Sequence, residues 1–134
     1  MAVPVSRLLP LAAFILGVAC VGCGGEEKLY DISGTITYQG QPVAKGLIFF
    51  DPVDGGPQGF ANIENGRYDT ALAQQGRGIR GGKYNVRING FDGQVGPDAP
   101  FGNALFPEHI FPVELPPQNQ TFNYEVPTNP TKRR

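Results

Sequence analysis

From Tyr30 to Tyr38 every even position is apolar or glycine (Tyr30, Ile32, Gly34, Ile36, Tyr38), while Asp31, Ser33, Thr35 and Thr37 are polar. Side chains alternate across an extended strand, so such a run buries one face and wets the other. The period returns in Lys83–Asn89, with Tyr84, Val86 and Ile88 on one side, and in Thr121–Val126, with Phe122, Tyr124 and Val126 on one side. Gln39-Gly40-Gln41-Pro42 breaks the first run as a turn, and Val43–Phe50 follows as a second strand. Its centre, Leu47-Ile48-Phe49-Phe50, is apolar on both faces, which places it inside the sheet packing. Asp51-Pro52 closes it. Phe60–Ile63 and Arg67–Ala71 read as short strands joined by Glu64-Asn65-Gly66, whose Asn-Gly supplies the positive φ of a tight hairpin. Phe111–Leu115 is a further strand, separated from Lys83–Asn89 by a long loop, Gly90–His109. A 3.6-residue apolar stripe is absent outside the N-terminal segment. Six or seven short strands with frequent turn signals predict an all-β fold, an antiparallel β-sandwich over residues 29–127.

Glycine (19 residues) and proline (13) together approach the level at which disorder is expected. The regular alternation argues for a folded domain instead. A domain of this length buries most of its unfolded surface without covalent staples.

The N-terminal segment has another character. Arg7 precedes the apolar run Leu8–Val21, which leads into Gly22-Cys23-Gly24-Gly25 and the acidic pair Glu26-Glu27. The run is too short for a bilayer span, which needs about 20 residues. A positive start, a short apolar core and small residues at a cleavage point are the parts of a secretory signal. With a cysteine at the cut, the segment resembles a bacterial lipoprotein signal, which implies that the thiol is acylated and becomes the first mature residue. Residues 1–22 would then be removed, 23–28 would form a flexible tether, and 128–134 a short basic tail. Cys23 is the preferred lipid site, because Gly24-Gly25 makes a flexible exit, with Cys20 the alternative. A redox role for the Cys20-x-x-Cys23 spacing is disfavoured by its position against the apolar run. Formal net charge is −1, and no clustered basic face supports nucleic-acid binding.

Gly34-x-Ile36-x-Tyr38-x-Gly40-x-Pro42-Val43-x-x-Gly46-x-Ile48-x-Phe50 resembles the opening of carboxypeptidase regulatory-like and transthyretin-like domains, and Gly66-x-Tyr68 and Gly82-Lys83-Tyr84-x-Val86-x-Ile88 resemble their later strands. Together with the lipoprotein-like start, the chain is similar to small secreted lipoproteins of planctomycete-type bacteria. The resemblance implies a seven-stranded prealbumin-like sandwich and carries no catalytic residues across. The motif also has scaffold meanings. Gly40 and Pro42 shape a turn, Gly46 permits close strand approach, and Tyr68 and Tyr84 bury a ring while the hydroxyl reaches the rim.

Chemistry-bearing residues are sparse. The enzymatic relative, a 5-hydroxyisourate hydrolase, relies on several histidines and a Tyr-Arg-Gly-Ser terminus, whereas this chain has His109 alone and ends Thr131-Lys132-Arg133-Arg134. A lone imidazole without a partner does not make an acid–base pair, and His109 reads as a surface or rim residue of the loop. No His or Cys cluster suggests zinc. Gly76-x-Gly78-x-x-Gly81 has the letters of a dinucleotide fingerprint but precedes a strand, not the helix that the chemistry requires. Asp92-Gly93-x-x-Gly96-x-Asp98, and Asp51 with Asp54, lack the spacing of a calcium loop and read as turns. Asn119-Gln120-Thr121 is a glycosylation sequon given no weight in a bacterial setting. Arg77, Arg80, Lys83 and Arg87 form a modest basic group that reads first as solvated charge and second as a contact for anionic headgroups or acidic polysaccharide.

The long loop brings Phe91, Phe101 and Phe106 as a candidate ligand surface, with Phe111 beside them. They read mainly as a flap over the sandwich edge, and the absence of Trp weakens a sugar-stacking role. The expectation is therefore a non-catalytic, lipid-anchored β-sandwich of the cell envelope, acting as a structural or interaction module. It would have no cofactor and no metal, and an envelope protein or polysaccharide as partner. A carbohydrate-binding module using the 90–111 loop is the alternative, and a small transthyretin-like hydrolase stands behind both.

Overall fold

The computed structural model describes residues 28–72 and 78–128. They form an all-β fold, with one 3₁₀ turn, Thr70–Leu72, as the only helical element among them. The strands are β1 (Ile32–Tyr38), β2 (Gln41–Pro42), β3 (Lys45–Pro52), β4 (Gly59–Glu64), β5 (Arg67–Asp69), β6 (Gly82–Phe91), β7 (His109–Leu115), β8 (Gln120–Thr121) and β9 (Tyr124–Val126). They hydrogen-bond in one curled, mostly antiparallel sheet of order β2-β1-β5-β4-β3-β6-β7. The expected signal, the expected tether as far as Glu27, Cys20, Cys23, Arg77 and the tail from Asn129 lie outside the described residues.

The alternation sets which face is inside. Ile32 and Ile36 of β1, Ile48 and Phe50 of β3, Ala61 and Ile63 of β4, and Tyr84, Val86 and Ile88 of β6 are all buried together. β3 lies between β4 and β6, and on its outer face Phe49 is lined by Phe60 and the Arg87 guanidinium. Its inward residues are fully buried, and Leu47 and Phe49 on the outer face are half-buried. The two expected turns take their expected form: Gln39-Gly40 and Asn65-Gly66 both have positive φ, the geometry of a two-residue hairpin turn. A Cβ at Gly46 would meet the Asn89 carbonyl oxygen, so β3 and β6 do approach closely there.

One departure concerns the end of the chain. The expected strand Thr121–Val126 is two segments, β8 and β9, and both pair with β1 in parallel, not antiparallel. Gln120 lies opposite Ile32 and Val126 opposite Tyr38, so one register runs the length of β1. Between the two segments the ladder is made partly by side chains. The Phe122 N–H donates to the Ser33 carbonyl at 2.7 Å. The Thr35 N–H donates to Asn123 Oδ1 at 2.9 Å, and the Asp31 N–H to Asn119 Oδ1 at 2.9 Å.

Gly34 makes this close approach sterically feasible. A Cβ there would lie 2.0 Å from the Phe122 carbonyl oxygen. That oxygen accepts a 2.6 Å hydrogen bond from the Tyr68 hydroxyl, whose ring is buried against Phe50. Burial raises the Tyr68 pKa far above its ordinary value, so the hydroxyl stays a donor. Tyr84 makes the matching contact at the other end of the core, its hydroxyl accepting from the Arg80 N–H at 2.9 Å. Both tyrosines thus bury the ring and use the hydroxyl at the rim.

At the far end of the path, β7 has no ladder partner beyond β6 among the described residues. Pro112 sits in the middle of it, which a sheet tolerates only at an edge where the missing N–H faces no strand. Aromatic rings bring this edge to β9: Phe111 and Tyr124 stack at 4.0 Å and 11°, and Phe122 lies 6.2 Å from Phe111.

Gly34→Ala is expected to destabilise the fold by about 1–3 kcal/mol, because a methyl group must displace backbone. Tyr68→Phe, which deletes only the hydroxyl, is expected to cost about 1 kcal/mol. Urea denaturation midpoints of the two variants check both, and an unchanged midpoint for Gly34→Ala would contradict the close approach.

Candidate functional site

The direction of β1 divides the molecule into two ends. Chain entry at Lys28–Asp31, the 53–58 loop and the 116–119 connection lie at the start of β1. The turns at 39–40 and 65–66 and the 92–108 loop lie at its finish. The ten residues of β6 connect one end to the other, about 30 Å at strand rise.

The long loop is built, not slack. The Asp92 carboxylate accepts from the Gln94 N–H and the Asn103 N–H, both at 2.9 Å, and from Asn103 Nδ2 at 3.2 Å. The hydrogen bond from Gln94 is the main reason its pKa is held below the ordinary carboxylate value. The Gly93 N–H reaches the Phe101 carbonyl, and the Leu105 N–H the Gly90 carbonyl. Asp92 therefore serves as the loop's staple, as turn chemistry would have it. No group of three or more His, Cys, Asp or Glu side chains that could hold a metal occurs among the described residues.

The three phenylalanines of the candidate ligand loop have separate fates. Phe106 is 5% exposed and belongs to the core, packed on Tyr38 with ring centroids 4.9 Å apart. It lies against Gly90, where a Cβ would come within 2.6 Å of its ring. A ligand cannot stack on it. Phe91 ends β6 and is half-buried against Phe101, at 5.6 Å. Phe101 is 45% exposed and is the one of the three that meets solvent broadly. The flap expectation thus describes Phe106 better than a ligand surface does.

His109 is also displaced from its expected setting. It opens β7 and does not lie in the loop, and its Nε2 is 2.8 Å from the Tyr124 hydroxyl. Burial lowers its pKa, so the neutral ring is favoured at the β7–β9 seam. Burial likewise raises the Tyr124 pKa.

Arg80, Lys83 and Arg87, the described members of the basic group, each have neighbours of their own. The Arg80 guanidinium donates to the Gly55 carbonyl at 2.9 Å. Lys83 sits opposite Glu114 across the β6–β7 ladder. Arg87 pairs with Asp51 and, at 3.5 Å, with Glu108, and its guanidinium lies 4.6 Å over the Phe49 ring. Burial alone would raise the Asp51 pKa, but hydrogen bonds from Arg87 and Gln58 outweigh it and hold the carboxyl low. Asp51 is thereby committed to Arg87.

A further concavity is one that the sequence did not single out. An open groove of about 1010 Å³ runs over the outer face of β4, β5, β1 and β8. Ser33 and Thr35 form its floor, and Asn62, Glu64, Arg67, Asp69, Leu72 and Asn123 stand around it. Apart from Leu72 in the 3₁₀ turn and Asn123 between β8 and β9, these side chains belong to strands, where outward polar residues read as ordinary solvated surface. Asn62 in mid-strand was the available signal, because Asn is depleted there.

Comparison with protein-family models, with curated proteins and with solved structures finds no match to this chain.

Phe106→Ala is expected to cost about 3–5 kcal/mol, the range for emptying a buried aromatic site. Phe101→Ala is expected to stay within about 0.5 kcal/mol, as for surface changes; denaturant titration of the pair separates core from rim.

His109 adds a pH prediction. Its folded pKa is below the ordinary value of about 6.5, so the unfolded chain takes up the proton first as pH falls. The associated stability is complete above that value and declines as pH drops through the folded pKa. Thermal midpoints should therefore fall on going below pH 6.5, and His109→Gln should flatten that part of the profile.

Proposed function

We propose that this chain is a non-catalytic, prealbumin-like β-sandwich domain, lipid-anchored through Cys23 at a cell-envelope membrane, that serves as a structural or interaction module. The observation that carries the reading is the polarity of the sheet. Chain entry at Lys28 and the folded 92–108 loop are at opposite ends of the strands. A tether at the first end would hold that end toward lipid and present the loop, with Phe101 and the 71% exposed Val95, away from it. The groups best suited to acid–base chemistry meanwhile have scaffold partners: His109 with Tyr124, Tyr68 with the Phe122 carbonyl, Asp51 with Arg87. That distribution favours a domain that holds and displays over one that turns over substrate. A carbohydrate-binding role for the 90–111 loop rests on Phe101 and the half-buried Phe91, since Phe106 lies in the core.

In cells, Cys23→Ser is expected to move the protein from the membrane fraction to the soluble fraction, while Cys20→Ser leaves it with the membrane. The reverse pattern would assign the lipid to Cys20. Membrane retention in the double variant would remove the lipid anchor from the reading.

A further inference from the structure

We propose that the groove over β4, β5, β1 and β8 binds a neutral, hydroxyl-rich ligand, a short oligosaccharide, held by Asn62, Arg67, Asp69 and Asn123 against Leu72. It gives the interaction module of the preceding section a ligand class and does not depend on the lipid anchor.

Most of the groove's polar residues have a role in the fold. Asn65 supplies the positive φ of its turn, and Asn123 Oδ1 accepts the Thr35 N–H. Asp69 Oδ1 accepts the Ala71 N–H, and Glu64 pairs with Lys45 at 3.2 Å. Asn62 and Arg67 are different: neither side chain has a partner among the described residues. Arg67 stays unpaired although Glu64 and Asp69 line the same groove. An amide and a guanidinium with their donors unused, beside the free amide nitrogen of Asn123 and the second oxygen of Asp69, are planar groups that match pairs of neighbouring hydroxyls.

The charges select the ligand class. With Arg67 facing Glu64 and Asp69, the groove carries no excess of positive charge to attract a polyanion. Leu72, 81% exposed, is the one exposed large apolar side chain among its lining residues, too little for an amphipathic helix but suited to the C–H face of one sugar ring. The floor of Ser33 and Thr35 is small enough to let a ring approach the sheet and offers two more hydroxyls. A groove of this volume is at the upper end of the usual small-ligand range of about 300–1,000 Å³.

The test uses the full chain in detergent micelles, titrated by calorimetry with cellotriose, maltotriose and tri-N-acetylchitotriose, with trigalacturonate as the acidic control. At least one neutral trisaccharide is expected to bind. Arg67→Ala and Asn62→Ala are each expected to weaken it by roughly tenfold, the effect of losing one or two polar contacts. Phe101→Ala should leave it unchanged. All three substituted residues lie on the outer surface or the rim, and a circular-dichroism spectrum matching the parent establishes that each variant is folded. Binding of none of the neutral sugars overturns the proposal, as does preference for trigalacturonate. Loss on Phe101→Ala with full binding by Arg67→Ala would place the ligand on the loop and overturn it too. Retained membrane anchoring without sugar binding would leave the anchored-module reading intact while ending this one.

Discussion

The chain's last strand segments lie along its first, and the interior depends on that contact. Without them β1 would have only β5 and β2 as ladder partners. With β8 and β9 in place, Ile32, Ile36 and Val126 are all essentially inaccessible to water. Each such side chain contributes about 1.5–3 kcal/mol of burial, so this one junction matters on the scale of a small domain's whole stability. The ladder is helped by side chains at intervals. Asn119 and Asn123 take backbone N–H groups of β1, and Glu125 takes the Gly40 N–H at 3.1 Å. The Tyr68 hydroxyl secures the carbonyl that lies over Gly34.

Local features of this arrangement were legible in the sequence because each is written within a few residues. Period-two alternation marked the inward residues of β1 and β6, and Asn65-Gly66 marked its hairpin. The parallel pairing of β8 and β9 was not legible. The alternation of Phe122, Tyr124 and Val126 says that they share a face, but contains nothing about which strand they join or in which direction. Gly34 was placed only on the inward face of its strand, whereas its role is set by Phe122, 88 positions away. Phe106, read mainly as part of a flap and only secondarily as a ligand surface, shows a related limit. A core residue contributed by an irregular loop has no period to betray it, and only Gly90, which leaves room for the ring, hints at the contact. His109 was assigned to the loop because it follows Phe106-Pro107-Glu108, with the strand expected only from Phe111, whereas β7 begins two residues earlier.

The two faces of β7 and β9 show how a curled sheet can be closed without a backbone seam. Rings from Phe111, Phe122 and Tyr124 stack, and His109 meets the Tyr124 hydroxyl. Aromatic contacts of this kind contribute about 0.5–1.5 kcal/mol beyond area burial, less than a continuous ladder would. The two edges therefore stay together while each retains unpaired backbone. Pro112 then has a protective sense, since an incoming strand would find no N–H at the middle of β7.

The outer surface is likewise divided. On the β3–β6–β7 side, Arg87 is held between Asp51 and Glu108 and over Phe49, so the charged groups satisfy one another. On the β4–β5–β1 side, Arg67 has carboxylates nearby and pairs with neither. Both guanidiniums stand on outward strand positions of the same sheet, so the contrast does not come from exposure alone. Arg87 has Phe49 beneath it and an acid to each side, Asp51 on β3 and Glu108 just before β7, a geometry that fixes the fork. Arg67 lies opposite Thr35, which is too small to fix it, and no partner among the described residues takes its donors. A side chain left free beside available counter-charges is the arrangement expected where a ligand, not the fold, supplies the acceptor.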